Sequence, residues 1–154
     1  IALALTAYLA IRMPHDFLNQ IGGRSPEPPK GGRVDEIAAY LKNNLRDGDR
    51  VQPIEGAGGA LQAMLMTEVR LATPFYYDTC FYHHVSSPYI QGLRRRFIES
   101  LETSSPRFIV RIDPDVPWFF GEDTWCDFPE LRFLLDIRYR VVYRGRRYEI
   151  YERL

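Results

Sequence analysis

Apolar and polar positions along the chain alternate in short helical and extended runs, joined by turns rich in Gly and Pro. Over residues 35–45, Ile37, Ala38, Leu41 and Leu45 recur at helical spacing. Asp35 and Glu36 stand in the first turn, where the helix dipole favours acids. Asp47-Gly48 ends this helix, and residues 50–54 (RVQPI) read as a short strand with Pro53 near its end. Residues 55–60 (EGAGGA) form a tight glycine turn into a second helix over 61–69, and residues 71–77 read as a second strand. Ser86-Ser87-Pro88 opens a third helix, with proline preset for the first turn. Ile90, Leu93, Phe97 and Leu101 form its apolar stripe, and Arg94, Arg95 and Arg96 occupy the rest of its surface. Residues 107–112 (RFIVRI) are the most strand-like run. A longer connection over 113–127 carries both tryptophans and leads to a fourth helix, from Phe128-Pro129-Glu130 through Leu135. Residues 139–143 and 147–151, with a turn at Arg144-Gly145, predict a closing hairpin.

This order, αβαβαβα followed by ββ, predicts an α/β fold. The expected architecture is a small, mainly parallel sheet flanked by helices, Rossmann-like and three-layered, ending in an antiparallel β-hairpin. Right-handed crossovers place the first strand inside the sheet and the second at or near an edge.

The soluble domain is expected over 33–154. Before it, residues 1–11 (IALALTAYLAI) are apolar almost all round, yet a bilayer span takes about 20 residues. They read either as the end of a membrane span, with Arg12 at the interface, or as a short buried helix. Residues 13–21 hold a possible amphipathic turn, with Phe17, Leu18 and Ile21 its apolar positions, and residues 22–32 (GGRSPEPPKGG) are a Gly/Pro linker. Beginning at Ile1 without a methionine, the chain is expected to be a processed or excised piece.

Composition narrows the class. The 154 residues include 20 Lys and Arg and 20 Asp and Glu, so no net field draws the chain to nucleic acid. Aromatic residues make up 14%, enough to build a core from rings and incompatible with a disordered chain. Cys80 and Cys126 permit one disulfide without requiring it, and neither belongs to a C-x-x-C pair.

Residues 74–89 (PFYYDTCFYHHVSSPY) fit neither a plain strand nor a solvent loop. Phe75, Tyr77 and Phe81 are expected in the core. The polar subset Asp78, Tyr82, His83 and His84 is the candidate binding set. Adjacent histidines diverge on any regular backbone, and nothing nearby completes a ligand set, so no metal is expected. Cys80 reads as a partly buried thiol, since a nucleophile needs a base held across a cleft. The glycine turn over 55–60 lacks the third glycine of G-x-G-x-x-G, because Leu61 stands there; it reads as a tight strand-to-helix turn and no cofactor is expected. Successive arginines on a helix fan out, so Arg94–Arg96 read as a solvated face, with contact to lipid phosphates the minority alternative. Asp113 and Asp115 flank Pro114 after the third strand, at the carboxyl end where α/β ligand sites usually lie, and such acids also commonly cap turns. No Ser–His–Asp set or P-loop is present, and no catalytic residue is assigned.

Taken in order, RVDEIAAYLKNNLRDGDRVQP, the glycine turn, LATPFYYDTCFYHHVSSPYIQGLRRRFIESL, PRFIVRI and FPELRFLLDIRYRVVYRGRRYEIYERL resemble a known pattern. It is the soluble C-terminal region of bacterial polytopic glycosyltransferases of the dolichyl-phosphate-mannose–protein mannosyltransferase type. YHHVSSPYIQ and YEIYER are the most specific pieces; Thr79-Cys80 stands where a more aromatic or histidine-bearing pair belongs. The resemblance covers residues 33–154. It implies a parent enzyme in the bacterial cytoplasmic membrane that moves a sugar from a polyprenyl-phosphate donor, with this domain on the extracytoplasmic, periplasmic side. Catalytic acids of such enzymes lie in loops of the membrane half, so this domain is expected to be non-catalytic. Its expected partners are the membrane half of the same polypeptide and a glycan or lipid-linked sugar. Two other readings stay open: a stand-alone nucleotide- or small-ligand-binding α/β enzyme, and a structural protein-interaction domain.

Overall fold

A computed structural model describes residues 32–54, 58–113, 121–124 and 127–154. The chain divides into two compact units, Ile1–Gly32 and Arg33–Leu154, and the described helices and strands all belong to the second. The expectations for residues 1–31, for the start of the glycine turn at 55–57, and for 114–120 and 125–126 of the long connection, with Asp115, both tryptophans and Cys126, lie outside the described residues. Among the described residues, no helix is long and apolar enough to cross a membrane.

The unit is an α/β fold with a five-stranded mixed sheet in the order β2-β1-β3-β5-β4. Its elements are α1 (Arg33–Asn44), β1 (Arg50–Ile54), α2 (Ala60–Met66), β2 (Arg70–Leu71), α3 (Pro88–Ser104), β3 (Phe108–Ile112), α4 (Pro129–Arg138), β4 (Tyr139–Gly145) and β5 (Tyr148–Arg153), with a 3-10 turn at Thr79–Tyr82. β1 pairs in parallel with β2 and β3, so the first strand is interior and the second lies at an edge.

The sheet is mixed, not mainly parallel. β5 runs antiparallel to β3 through five residue pairs, from Phe108 with Glu152 to Ile112 with Tyr148. The closing hairpin therefore extends the main sheet, with β5 inserted between β3 and β4. Its turn falls at Arg146-Arg147, two residues later than the glycine suggested. Gly145 instead ends β4, because the Tyr148 ring lies on it; a Cβ there would sit 2.0 Å from a ring carbon.

The second strand is also shorter than predicted, and Pro53 explains why. Val51 accepts a bond from the Ala72 N–H at 3.0 Å on the β2 side. Residues of a strand alternate the neighbour they bond, so Pro53 faces the same side and has no N–H to offer. The ladder stops after Leu71, and the chain leaves the sheet.

Alternation along β3 divides the core. Phe108, Val110 and Ile112 pack with Ile37 and Leu41 of α1, Ala63 and Met64 of α2, and Tyr148 and Ile150 of β5. Ile109 turns the other way, to Phe97 and Leu101 of α3, Leu131, Leu134 and Leu135 of α4, and Phe81. At the entry to α2, Gly59 has φ +107, and a Cβ would approach Val34 of α1 to 2.8 Å, so only glycine lets these helices close together.

Candidate functional site

Residues 72–87 carry the candidate binding set, and they are held in place by side chains, not by a ladder. Gln52, fully buried in β1, donates to the Phe75 carbonyl at 2.7 Å and to the Pro53 carbonyl at 3.0 Å. Its own carbonyl accepts from the Thr73 hydroxyl at 2.8 Å, and that hydroxyl accepts from the Phe75 N–H at 3.2 Å. One amide side chain thus replaces the pairing that Pro53 ends.

Arg94 of α3 makes the second anchor. Its Nε donates to the Phe81 carbonyl at 2.8 Å, its Nη2 to the Asp127 carbonyl at 3.1 Å, and its guanidinium lies 4.6 Å from the Phe128 ring centroid. The three successive arginines do fan out, but Arg94 is buried, which corrects its assignment to a solvated face; Arg95 and Arg96 are exposed. A signal for this exists in the spacing: Arg94, Phe97 and Leu101 share a helical face at i, i+3 and i+7. Around this guanidinium four rings assemble, with Phe81 stacked on Phe97 at 5.0 Å and edge-on to Phe128 at 5.7 Å, and Phe75 5.6 Å from Phe81.

The third anchor comes from residues 121–124. His83 forms an isolated antiparallel bridge with Thr124, and the Val85 N–H donates to the Asp123 carbonyl at 3.1 Å. The Asp123 carboxylate accepts from the Ser86 N–H at 2.9 Å and the Ser86 hydroxyl at 2.7 Å, just ahead of α3.

These anchors sort the candidate residues into two sets. Asp78 is buried at 4% exposure, and Tyr82, half-buried, hydrogen-bonds to it. Burial, and then the Asp78 carboxylate, push the Tyr82 hydroxyl far above its ordinary range, while Arg111 and Arg94 pull the other way. His83 is half-buried, whereas His84 is exposed with φ +52, in a turn closed by the Ser87 N–H on the His84 carbonyl. Phe75 and Phe81 join the core as expected. Tyr77 does not: it is 52% exposed, beside Tyr76 at 57%, and Tyr89 at the start of α3 is 71% exposed. With four rings already filling the space under the 3-10 turn, Tyr77 is left outside.

Arg111 and Tyr151 were not legible as part of this region. Arg111 lies across from Ile54 of β1 and Glu149 of β5, and it hydrogen-bonds Tyr151, whose hydroxyl donates to Glu149. Together with Asp78 and Tyr82 they form a polar layer at the carboxyl end of β1 and β3, where ligand sites of α/β sheets usually lie. The signal lies in pairing, since only the register sets residue 111 beside residue 149.

Cys80 is an exposed residue with a free thiol, where a partly buried one was expected; partial desolvation and Asp78 still push its pKa up, opposite to what an activated nucleophile needs. Among the described residues, no group of three or more His, Cys, Asp and Glu is placed to hold a metal ion. Of the glycine turn only residues 58–60 are described, and Gly59 caps the seven-residue helix α2. Compared with known protein families, curated proteins and solved structures, the chain matches none.

Proposed function

We propose that Arg33–Leu154 is a non-catalytic extracytoplasmic domain of a membrane glycosyltransferase that uses a polyprenyl-phosphate sugar donor, its sheet and helices in a Rossmann-like three-layer arrangement. Its role is to hold part of a glycan or lipid-linked sugar on the outward face of residues 76–89. The observation that supports this is the division of that segment. Tyr76, Tyr77, Tyr89 and His84 face solvent, while the backbone carrying them is pinned by Gln52, Arg94 and Asp123. Exposed rings on a fixed backbone lose little freedom on binding, and their faces suit the C–H faces of a sugar. Asp78 and Tyr82 support this surface from below.

The test is titration of the chain with mannose-containing oligosaccharides, followed by tyrosine fluorescence or amide shifts. Replacing Tyr76, Tyr77 and Tyr89 by Ala should abolish saturation without changing the melting temperature. Unchanged glycan binding in that triple variant, or none in the parent chain, removes the reading. His84→Ala is the clean probe among the candidate residues, because Asp78→Ala also disturbs a buried contact.

A second reading, a protein-interaction domain, is favoured by the outer surface of α3 and α4. Phe133 is 66% exposed and Ile137 47%, beside a groove of about 350 Å3 lined also by Ile98, Pro129 and Leu134. Under the leading reading, the natural partner for this face is the membrane half of the same polypeptide. Phe133→Asp would break that association and leave glycan binding intact.

A further inference from the structure

We propose that the amino-terminal end of the sheet, on the side of α3, is a binding site for a phosphoryl group, held by Arg50 and Arg96 with Ser104 as a hydroxyl donor. This site is separate from the tyrosine surface and does not rest on the glycan reading. Its basis is a row of arginines. Arg70 and Arg50 are direct partners in the β2–β1 pair, the Arg107 N–H bonds the Arg50 carbonyl at 3.0 Å, and the Arg153 N–H bonds the Arg107 carbonyl at 3.0 Å. Arg70 of β2, Arg50 of β1, Arg107 one residue ahead of β3 and Arg153 of β5 therefore stand at the same level of the sheet.

Like charges directly across a strand pair destabilise it. Two of the four are compensated: Arg107 pairs with Asp49 at 2.7 Å and Glu152 at 3.5 Å, and Arg153 donates to the Ser105 carbonyl at 3.1 Å. Among the described residues, Arg50 and Arg70 form no ion pair. Arg50 lines a groove of about 740 Å3 whose other wall is α3, contributing Arg96, Glu99, Ser100, Thr103 and Ser104. Arg96 also forms no ion pair among the described residues. Glu99 is the one carboxylate in the lining, set against two guanidinium groups.

The hydroxyls in this wall differ. Ser100 donates to the Arg96 carbonyl at 2.6 Å and Thr103 to the Glu99 carbonyl at 2.8 Å, so their protons are already used. The Ser104 hydroxyl is buried and has no hydrogen-bond partner among the described residues. It also lines the adjoining groove of about 550 Å3, where Arg46, Arg50, Arg107 and Arg153 stand with the carboxylates Asp49 and Glu152. A buried hydroxyl without a partner calls for a missing one. A phosphoryl group supplies acceptor oxygens for Ser104 and for both guanidinium forks, the geometry in which arginine binds anions best. The negative end of the α3 dipole opposes an anion here, but the Leu101 and Glu102 carbonyls are already capped by the Ser105 N–H and hydroxyl, each at 2.8 Å.

The phosphoryl group can come from a soluble phosphate ester or from a phospholipid headgroup, and the experiment separates these. The whole chain is titrated with inorganic phosphate and pyrophosphate, read by amide shifts at Arg50, Arg96 and Ser104. In parallel it is sedimented with phosphatidylglycerol and with phosphatidylcholine vesicles. We expect saturable binding to pyrophosphate or to the anionic vesicles, weakening as salt rises and falling about tenfold for Arg50→Gln or Arg96→Gln. Glu99→Gln should tighten it. Without ligand, Arg50→Gln should melt at the same or a higher temperature, because repulsion from Arg70 is relieved. A pyrophosphate response identifies a soluble ester, and a vesicle-only response identifies a headgroup. No response to any probe, undiminished binding when Arg50→Gln and Arg96→Gln are combined, or a clear loss of stability in Arg50→Gln overturns the proposal.

Discussion

The two faces of the sheet are built by different means. The α1–α2 face is assembled from neighbours in regular elements: Ile37, Ala38 and Leu41 meet Ala60, Ala63 and Met64 over β1 and β3. A polar contact at its margin is the Tyr148 hydroxyl on Glu36, at 2.8 Å. The α3–α4 face depends on an irregular segment instead. Phe75 and Phe81 come from the stretch where β2 gives out, and Arg94 ties them to α3 and to residue 127. A face made by periodic elements tolerates the loss of a hydrogen bond. A face made by an irregular segment rests on a few buried polar side chains, because its backbone has no ladder to satisfy it.

The largest expected effect tests that contrast. Phe81→Ala should cost about 4 kcal/mol, since it empties the centre of the four-ring cluster and leaves a cavity. Urea unfolding would measure it. Arg94→Met should follow at about 3 kcal/mol, because the Phe81 and Asp127 carbonyls lose charged donors while buried. A double-mutant cycle between residues 81 and 94 should show strong coupling, whereas additive losses would mean that the aromatic cluster stands without its arginine.

Acid should act on the arginine row next. Burial tends to raise the Asp49 carboxyl, but bonds from Arg107 and from the Arg46 N–H outweigh it and leave its pKa below the ordinary value. The Arg140 side chain, aided by Arg107, lowers that of Glu152. A depressed carboxylate contributes stability that is present above its unfolded pKa, about 4, and is lost as pH falls through its folded value. For this partly buried surface network the loss should be about 1 kcal/mol, read as a lower urea midpoint at pH 3 than at pH 6. Arg107→Gln should flatten that pH dependence.

On the other face, Tyr148→Phe should cost about 1 kcal/mol, the size of a single hydrogen bond. Tyr139 offers an alkaline counterpart: burial pushes its hydroxyl up to about 12, and it donates to the Pro106 carbonyl at 3.1 Å. A raised tyrosine contributes stability below pH 10 that is lost between pH 10 and about 12. Smallest of all, Tyr76→Ala and Tyr77→Ala should each change stability by no more than about 0.5 kcal/mol. A larger loss would place those rings in the fold and remove them from the binding surface.

The periodic part of the molecule is readable from the chain itself. The four helices, the interior place of β1 and the edge place of β2 follow from apolar spacing, a proline at the first turn of α3 and crossover handedness. Less is readable where one residue's role depends on a distant one. Residues 71–77 look like a strand, but Pro53 across the pair and Pro74 within the run both lack the N–H that the next ladder bonds need. Tyr77 and Phe81 look alike as aromatic residues of one segment, yet one is excluded and the other enclosed. Of the candidate set, Asp78 and His84 differ most: one is buried beside Tyr82, the other turned to solvent by a positive φ.

Sequence alone therefore settled the four helices and the strands β1, β3, β4 and β5, because hydrophobic period and turn chemistry act over a few residues. Tertiary structure decided three other things: that β5 joins β3 and makes the sheet mixed, that Arg94 turns inward, and that Arg50, Arg70, Arg107 and Arg153 align at one end of the sheet. Each of these depends on register between segments far apart in the chain, which no local pattern encodes.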